Sequence, residues 1–264
     1  MAEDPTPDTI GRIGRVTPHV LRLLGVETVQ LSVEQPELLE DIPADQREHA
    51  ASAAVAGVLI FPTGPWKDDD RIGERPGHFG LLVLDGLVTR RVHLGGRSCV
   101  ELLGAGDVLR PWISHEDDGS AFMHATWGVH STLRVAVLDR AFATRMARYP
   151  EVAAAIMDRQ IRRARWLTFH LAVCQLPSLQ TRLRVTFWYL ADRWGRVTSD
   201  GVVLPLRLTH ELIGGLVGAR RPAVTTALGA LSAQGVIVRR EDGGWLLAGE
   251  PPIDVVGPQG RAAA

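Results

Sequence analysis

The sequence predicts an α+β protein in three parts: an N-terminal jelly-roll-like β-barrel, a long dimerisation helix and a C-terminal winged helix-turn-helix. Three observations carry this reading. Between residues 58 and 138 the apolar runs are short and separated by glycine-rich turns, the pattern of a roll or small barrel. Pro150 then stands where a first helical residue would, opening a helical pattern that reaches Leu176. Finally, THELIGGLVGARRPAVTTALGALSAQGVI, residues 209–237, reads as two short helices joined at Gly218.

Composition sets the outer limits. A chain of 264 residues can bury two cores, and 45% hydrophobic with 22% charged content is that of a globular protein. No run of about eighteen apolar residues occurs, and the start, MAEDPTPDT, lacks the basic-then-apolar order of a signal peptide, so no membrane role is expected and the location is read as cytoplasmic. Cys99 and Cys174 lie far apart without metal-ligand spacing. Neither a disulfide framework nor a metal site is indicated, and no cofactor is expected.

Taken in order, residues 1–25 read as a flexible arm and 26–145 as the β-roll domain. That domain opens with a strand-like VETVQLSV and a polar helical stretch from Pro43 to Val55. Val58 to Phe61 is the first clear strand, and Lys67-Asp68-Asp69-Asp70 reads as a solvated loop. Phe79 to Leu84 and Leu87 to Leu94 flank Asp85-Gly86, a strong signal for a two-residue hairpin. Gly95-Gly96 turns again, Ser98 to Leu103 returns, Gly104 to Asp107 turns before Val108-Leu109, and Leu133 to Leu138 closes the series. Asp139 begins a helical region. Over 150–176, Met157, Ala164, Leu167, Leu171 and Cys174 share one stripe near heptad spacing, with arginines beside it, which suits pairing with a second copy as well as packing on the chain's own barrel.

Residues 177–250 form the third part, and 251–264 a flexible tail. Leu179 to Trp194 reads as a helix and Val202 to Leu206 as a short strand. Thr209 is a suitable N-cap, Glu211 puts a carboxylate in the first turn, and Leu212, Ile213, Leu216 and Val217 recur at helical spacing. In the second helix Val224, Leu228 and Leu231 make one apolar stripe, Pro222 sits in the first turn, and Arg221, Thr225 and Thr226 lie opposite the stripe. Val236 to Arg240, a turn at Asp242-Gly243-Gly244, and Trp245 to Leu247 complete a hairpin wing. Charge follows the same division. Residues 1–138 carry 12 basic and 20 acidic groups, 139–176 carry 7 and 3, and 177–250 carry 9 and 6. A basic C-terminal half fits a face turned towards nucleic acid, and a solvated helix surface would look similar.

This order of elements resembles the Crp/Fnr superfamily of bacterial transcription regulators, over roughly residues 30–248. LPLRLTHELIGGLVGARRPAVTTALGALSAQGVI, 204–237, and FGLLVLDGLVTRRVHLGGRSCVELLGAGDVL, 79–109, carry the resemblance. It implies a homodimer on an inverted-repeat site in double-stranded DNA, with RNA polymerase as a further partner. Arg221 falls where the family keeps a base-reading arginine, Pro222 where a glutamate is frequent, and Thr226 at the second arginine position. Arg220, Thr209, Thr225, Arg207 and Arg239 complete the implied DNA face. On the sensory side the family's cyclic-AMP binders follow Gly-Asp with a Gly-Glu pair and later an Arg-Ser pair. Here Arg110-Pro111 stands in the first place and nothing from Ala121 to His124 supplies the second. The iron–sulfur branch needs four cysteines. The effector is therefore expected to be non-standard, an apolar or aromatic small molecule, or absent, with Arg110, Trp112 and His124 as pocket residues and no metal.

A rival class is a cupin-like small-molecule or metal-dependent barrel protein whose helix-turn-helix contacts protein, using His115, His124 and His130. No His-x-His pair of the metal-cupin kind occurs in the chain. No catalytic residues are expected.

Overall fold

The computed structural model describes residues 27–66, 78–94, 96–111 and 124–252. The expected arm, the Lys67–Asp70 loop, Trp112, His115 and most of the tail lie outside these residues. The chain divides into two compact units, the first built from the residues up to Gly95 with Glu101–Arg165, the second from Gly96–Val100 with the chain from Trp166 onward.

The first unit opens with β1 (Thr28–Gln30), α1 (Leu31–Glu34), a short 3-10 turn and α2 (Ala44–Ala53). Then come β2 (Val55–Phe61), β3 (Gly64–Pro65), β4 (Gly80–Asp85), β5 (Leu87–Leu94), β6 (Arg97–Gly104), β7 (Val108–Leu109), β8 (His124–Val129) and β9 (Leu133–Leu138). They form two sheets, one ordered β1-β2-β9-β4-β7 and the other β3-β8-β5-β6. Strand β4, GLLVLD, is apolar from Leu81 to Leu84 because both of its faces are covered there. Leu81 and Val83 point into the roll with Val88, Leu103 and Val135, while Leu82 and Leu84 pack with Leu31, Leu38, Ile42 and Phe142 on the helical side. Helix α3 (Arg140–Met146) is capped by Asp139, whose Oδ1 accepts from the Phe142 amide at 2.7 Å.

Three local expectations change. In VETVQLSV only Thr28–Gln30 is a strand; the chain turns helical at Leu31, whose amide donates to Ala54 O. Asp85-Gly86 does not close a hairpin, since β4 pairs with β9 and β7 while β5 pairs in the other sheet. Gly86 takes φ +98, a Cβ there would lie 2.5 Å from Thr132 O, and Leu87 N donates to Ser131 Oγ at 2.9 Å. The glycine thus bends the chain from one sheet into the other against the β8–β9 turn. Strand β8, absent from the expected series, pairs with β5 from Val88↔Val129 to His93↔His124.

Helix α4 (Pro150–Gln175) starts at its proline as expected. In the first unit it buries Val152, Ile156 and Arg159, and leaves Met157 and Ile161 exposed. In the second unit Trp166, His170 and Val173 are its buried positions, and Trp166 and Phe169 both stack on Tyr189 of α5 (Leu179–Trp194), with centroids 4.1 and 4.5 Å apart. After α5 come β10 (Arg196–Thr198), β11 (Gly201–Leu204), α6 (His210–Val217), α7 (Arg221–Ala233), β12 (Ile237–Arg239) and β13 (Trp245–Leu247). The four strands are ordered β10-β11-β13-β12. Phe187 and Trp245 meet edge to face at 5.0 Å over a core of Leu183, Leu204, Val224, Leu228 and Leu231.

Candidate nucleic-acid interface

Helix α6 is short, so its ends must be satisfied explicitly. Thr209 Oγ1 accepts from the Leu212 amide at 3.2 Å, and Gly218 ends the helix in the left-handed region at φ +63, ψ +37. Arg182 Nη1 on α5 donates to the Val217 carbonyl at 2.8 Å, which meets one of the orphaned C-terminal acceptors. After this turn α7 begins at Arg221 with Pro222 in its first turn. Val224, Ala227, Leu228 and Leu231 are buried, while Arg220, Arg221, Pro222, Thr225 and Thr226 are exposed on the other side. All five sequence-assigned residues of this segment are therefore on one face.

The charged groups around that face differ in commitment. Among the described residues the Arg220 and Arg221 guanidiniums make no hydrogen bond or ion pair. Arg207 lies along the wing turn, its Nε donating to Asp242 O at 3.1 Å. Arg239 donates to Leu208 O at 2.9 Å and covers the Trp245 ring at 4.6 Å. Asp242 shapes the turn itself: its Oδ1 accepts from the Gly244 amide at 2.8 Å and its Oδ2 from Arg240 at 3.1 Å, and these contacts hold its carboxyl below the usual range. Sequence reading missed His210. Its Nδ1 lies 2.8 Å from Thr225 Oγ1, joining the start of α6 to α7, and burial, with Arg239 and Arg221 nearby, pushes the imidazole pKa down. The contact spans fifteen residues and has no signal at either position taken alone.

The first unit holds a cavity of about 540 Å3 lined by Phe79, Trp127, Ile156 and Gln160 and by three arginines, Arg90, Arg110 and Arg163. Arg163 grips the buried Glu101 with two bonds of 2.5 and 2.7 Å, and this pairing holds the guanidinium pKa above its ordinary value although burial works against it. Arg90 approaches the same carboxylate at 3.9 Å. Arg110 donates to the carbonyls of Phe79 at 3.0 Å and His78 at 2.5 Å. Of the expected pocket residues, Arg110 lines the cavity, whereas His124 stacks on its cross-strand partner His93 at 6.0 Å and is not part of the lining. Among the described residues no group of three or more His, Cys, Asp or Glu is placed to hold a metal ion.

Residues 181–247 match the Crp-like helix-turn-helix domain. The chain thus has a Crp-like helix-turn-helix domain within the fold of Crp/Fnr-type regulators. Solved structures agree with that architecture. FixK2 of Bradyrhizobium japonicum is similar over 73% of this chain and 92% of its own, at 16% identity and a TM-score of 0.54. The c-di-GMP-responsive global regulator CLP of Xanthomonas campestris is similar over 74% and 95%, at 17% identity and 0.52. A CooA variant of Carboxydothermus hydrogenoformans covers 72% and 82%, at 17% identity and 0.53. No curated protein sequence matches the chain. Within this Crp/Fnr-type fold, the segment with the domain match is the one that presents Arg220 and Arg221, and among the described residues no helix is long and apolar enough to cross a membrane.

Proposed function

We propose that this protein is a sequence-specific DNA-binding transcription regulator that acts in the cytoplasm as a homodimer on an inverted-repeat site, with RNA polymerase as its eventual partner. One observation carries the reading. A domain matching the Crp-like helix-turn-helix ends its first helix at a left-handed glycine and opens its second with two arginines, Arg220 at the N-cap and Arg221 in the first turn, that are uncommitted among the described residues. Exposed guanidiniums at the start of such a helix can form bidentate contacts to guanine O6 and N7, and can also meet phosphate. Selection of bound sequences from random duplex DNA tests this: an inverted repeat with half-sites about one helical turn apart is expected. Enrichment of nothing, or affinity without a steep salt dependence, would count against it.

Dimerisation is supported by α4. Met157, Ile161, Leu167 and Leu171 are 60%, 43%, 39% and 66% exposed, and Met157, Ala164 and Leu171 repeat at seven residues. Replacing Leu167 and Leu171 with aspartate should give monomers by light scattering and weaken operator binding sharply. A dimer that survives both changes would remove this helix from the proposal.

As to the effector, the cavity has aromatic walls, and two of its three arginines share Glu101. This supports an aromatic small molecule in the roll more than a cyclic nucleotide, whose buried phosphate needs dedicated donors. Calorimetric titration with cyclic AMP and cyclic GMP, alongside operator binding with each, separates the two. Micromolar binding that raises operator affinity about tenfold would favour the nucleotide.

A further inference from the structure

Thr225 sits on the exposed face of α7, and its hydroxyl is already engaged on the protein side. Oγ1 lies 3.0 Å from the Arg221 carbonyl oxygen and 2.8 Å from His210 Nδ1. A hydroxyl has one proton and two lone pairs, and a carbonyl can only accept. Both contacts are satisfied when Oγ1 donates to Arg221 O and the imidazole Nδ1–H donates to Oγ1. If the histidine carries its proton on the other nitrogen, the hydroxyl proton goes to Nδ1 instead. In either arrangement it does not point outward.

We infer that His210 is a positioning residue that makes Thr225 an acceptor-only reader of DNA: the base it meets in the major groove carries an amino group, adenine N6 or cytosine N4. This rests on the assignment of α7 as the DNA-reading helix. A free threonine hydroxyl can donate or accept, so it discriminates poorly between bases that offer donors and bases that offer acceptors. With its proton withheld, Thr225 has nothing to give guanine O6 or N7, thymine O4 or a phosphate oxygen. Thr226 provides the internal contrast. Its Oγ1 donates to Pro222 O at 3.2 Å with no histidine beside it, so a single longer bond holds its proton. Protonating His210 does not reverse the effect, because the charged ring still donates through Nδ1. The groups facing that ring are Thr225, Trp245, Arg221 and Arg239, so acid adds positive charge to the face without returning a donor to Thr225.

Sequence selection with the full-length wild type, His210→Ala and Thr225→Val tests the inference. The wild type should exclude guanine and thymine at one position of the contacted strand in each half-site, by about fivefold. Thr225→Val should lose that exclusion at this position alone, and His210→Ala should admit guanine or thymine there. The effect is also measurable without altering the histidine: removing the amino group, by purine for adenine or 2-pyrimidinone for cytosine on each strand in turn, should weaken the wild type about fivefold and leave Thr225→Val unaffected. If His210→Ala keeps the full exclusion, or Thr225→Val keeps sensitivity to the amino group, the inference is overturned. A wild type that enriches no sequence would overturn the DNA reading itself, and that result differs from both.

Discussion

Arg159 and Arg163 of the first unit and Arg220 and Arg221 of the helix-turn-helix are the same residue in opposite states. In the first unit Arg163 is locked to Glu101, and Arg159, 6% exposed, donates to Gln35 Oε1 and Gly106 O. On the helix-turn-helix Arg220 and Arg221 stand exposed with no such partner among the described residues. A guanidinium that is paired and desolvated holds structure together, and breaking it exposes the fold to the cost of an unmatched charge. One left in water contributes little to folding and keeps its hydrogen bonds for another molecule. The difference separates guanidiniums bound up in the fold from guanidiniums left available along one chain.

Removing Glu101 should give the largest effect. Glu101→Gln leaves Arg163 buried without its counter-charge and should cost the first unit about 3–5 kcal/mol in chemical denaturation. A loss below about 1 kcal/mol would place this pair with ordinary surface bridges. Arg221→Ala should behave in the opposite manner. Its unfolding midpoint should stay within about 0.5 kcal/mol of wild type, while discrimination at one base pair per half-site falls by about 1–3 kcal/mol. Arg207→Ala, at the wing, should instead weaken all sequences alike; a change confined to one base pair would move Arg207 from the phosphate group to the base readers.

The smallest effect sharpens the comparison from the histidine side. His130, hydrogen-bonded to Thr89 at 2.9 Å, has its pKa pushed below 6.5, first by burial and then by Arg91. Well above pH 6.5 the ring is neutral in both folded and unfolded chains. As pH falls below that value the unfolded chain takes up the proton first, so stability declines until the folded pKa is reached and then levels. His130→Gln should flatten that decline in urea midpoints measured between about pH 8 and 5. An unchanged slope would assign the acid sensitivity to other groups.

What could be read from the sequence was local chemistry. Pro150, the caps Asp139 and Thr209, the Gly218 turn and the wing glycines each act within a few residues, and all are where their chemistry puts them. The Asp85-Gly86 expectation failed for the same reason: the dipeptide specifies a bend, while the partner of β4 is Leu133–Leu138, about fifty residues on. Strand β8, HATWGV, does alternate, with Ala125, Trp127 and Val129 on one side, but the pattern is short and built on one alanine and a glycine, and β10 is exposed along its whole length, so neither stands out. At the sites, the apolar stripe of α7 marked out the exposed face. The His210–Thr225 contact and the Glu101–Arg163 pair depend on packing between elements and had no local mark.

The place of β9 has a consequence for how the chain is made. It is the middle strand of β1-β2-β9-β4-β7, yet it is the last of the five to leave the ribosome. Until Leu133–Leu138 has emerged, β1-β2 and β4-β7 have no strand between them, and β2 and β4 each keep an unpaired edge. Synthesis at about 5–20 residues per second leaves those edges unpaired for seconds, and closing such distant partners carries the loop entropy that slows nonlocal sheets. The five-stranded sheet can therefore become continuous only late in synthesis, once its middle strand is available.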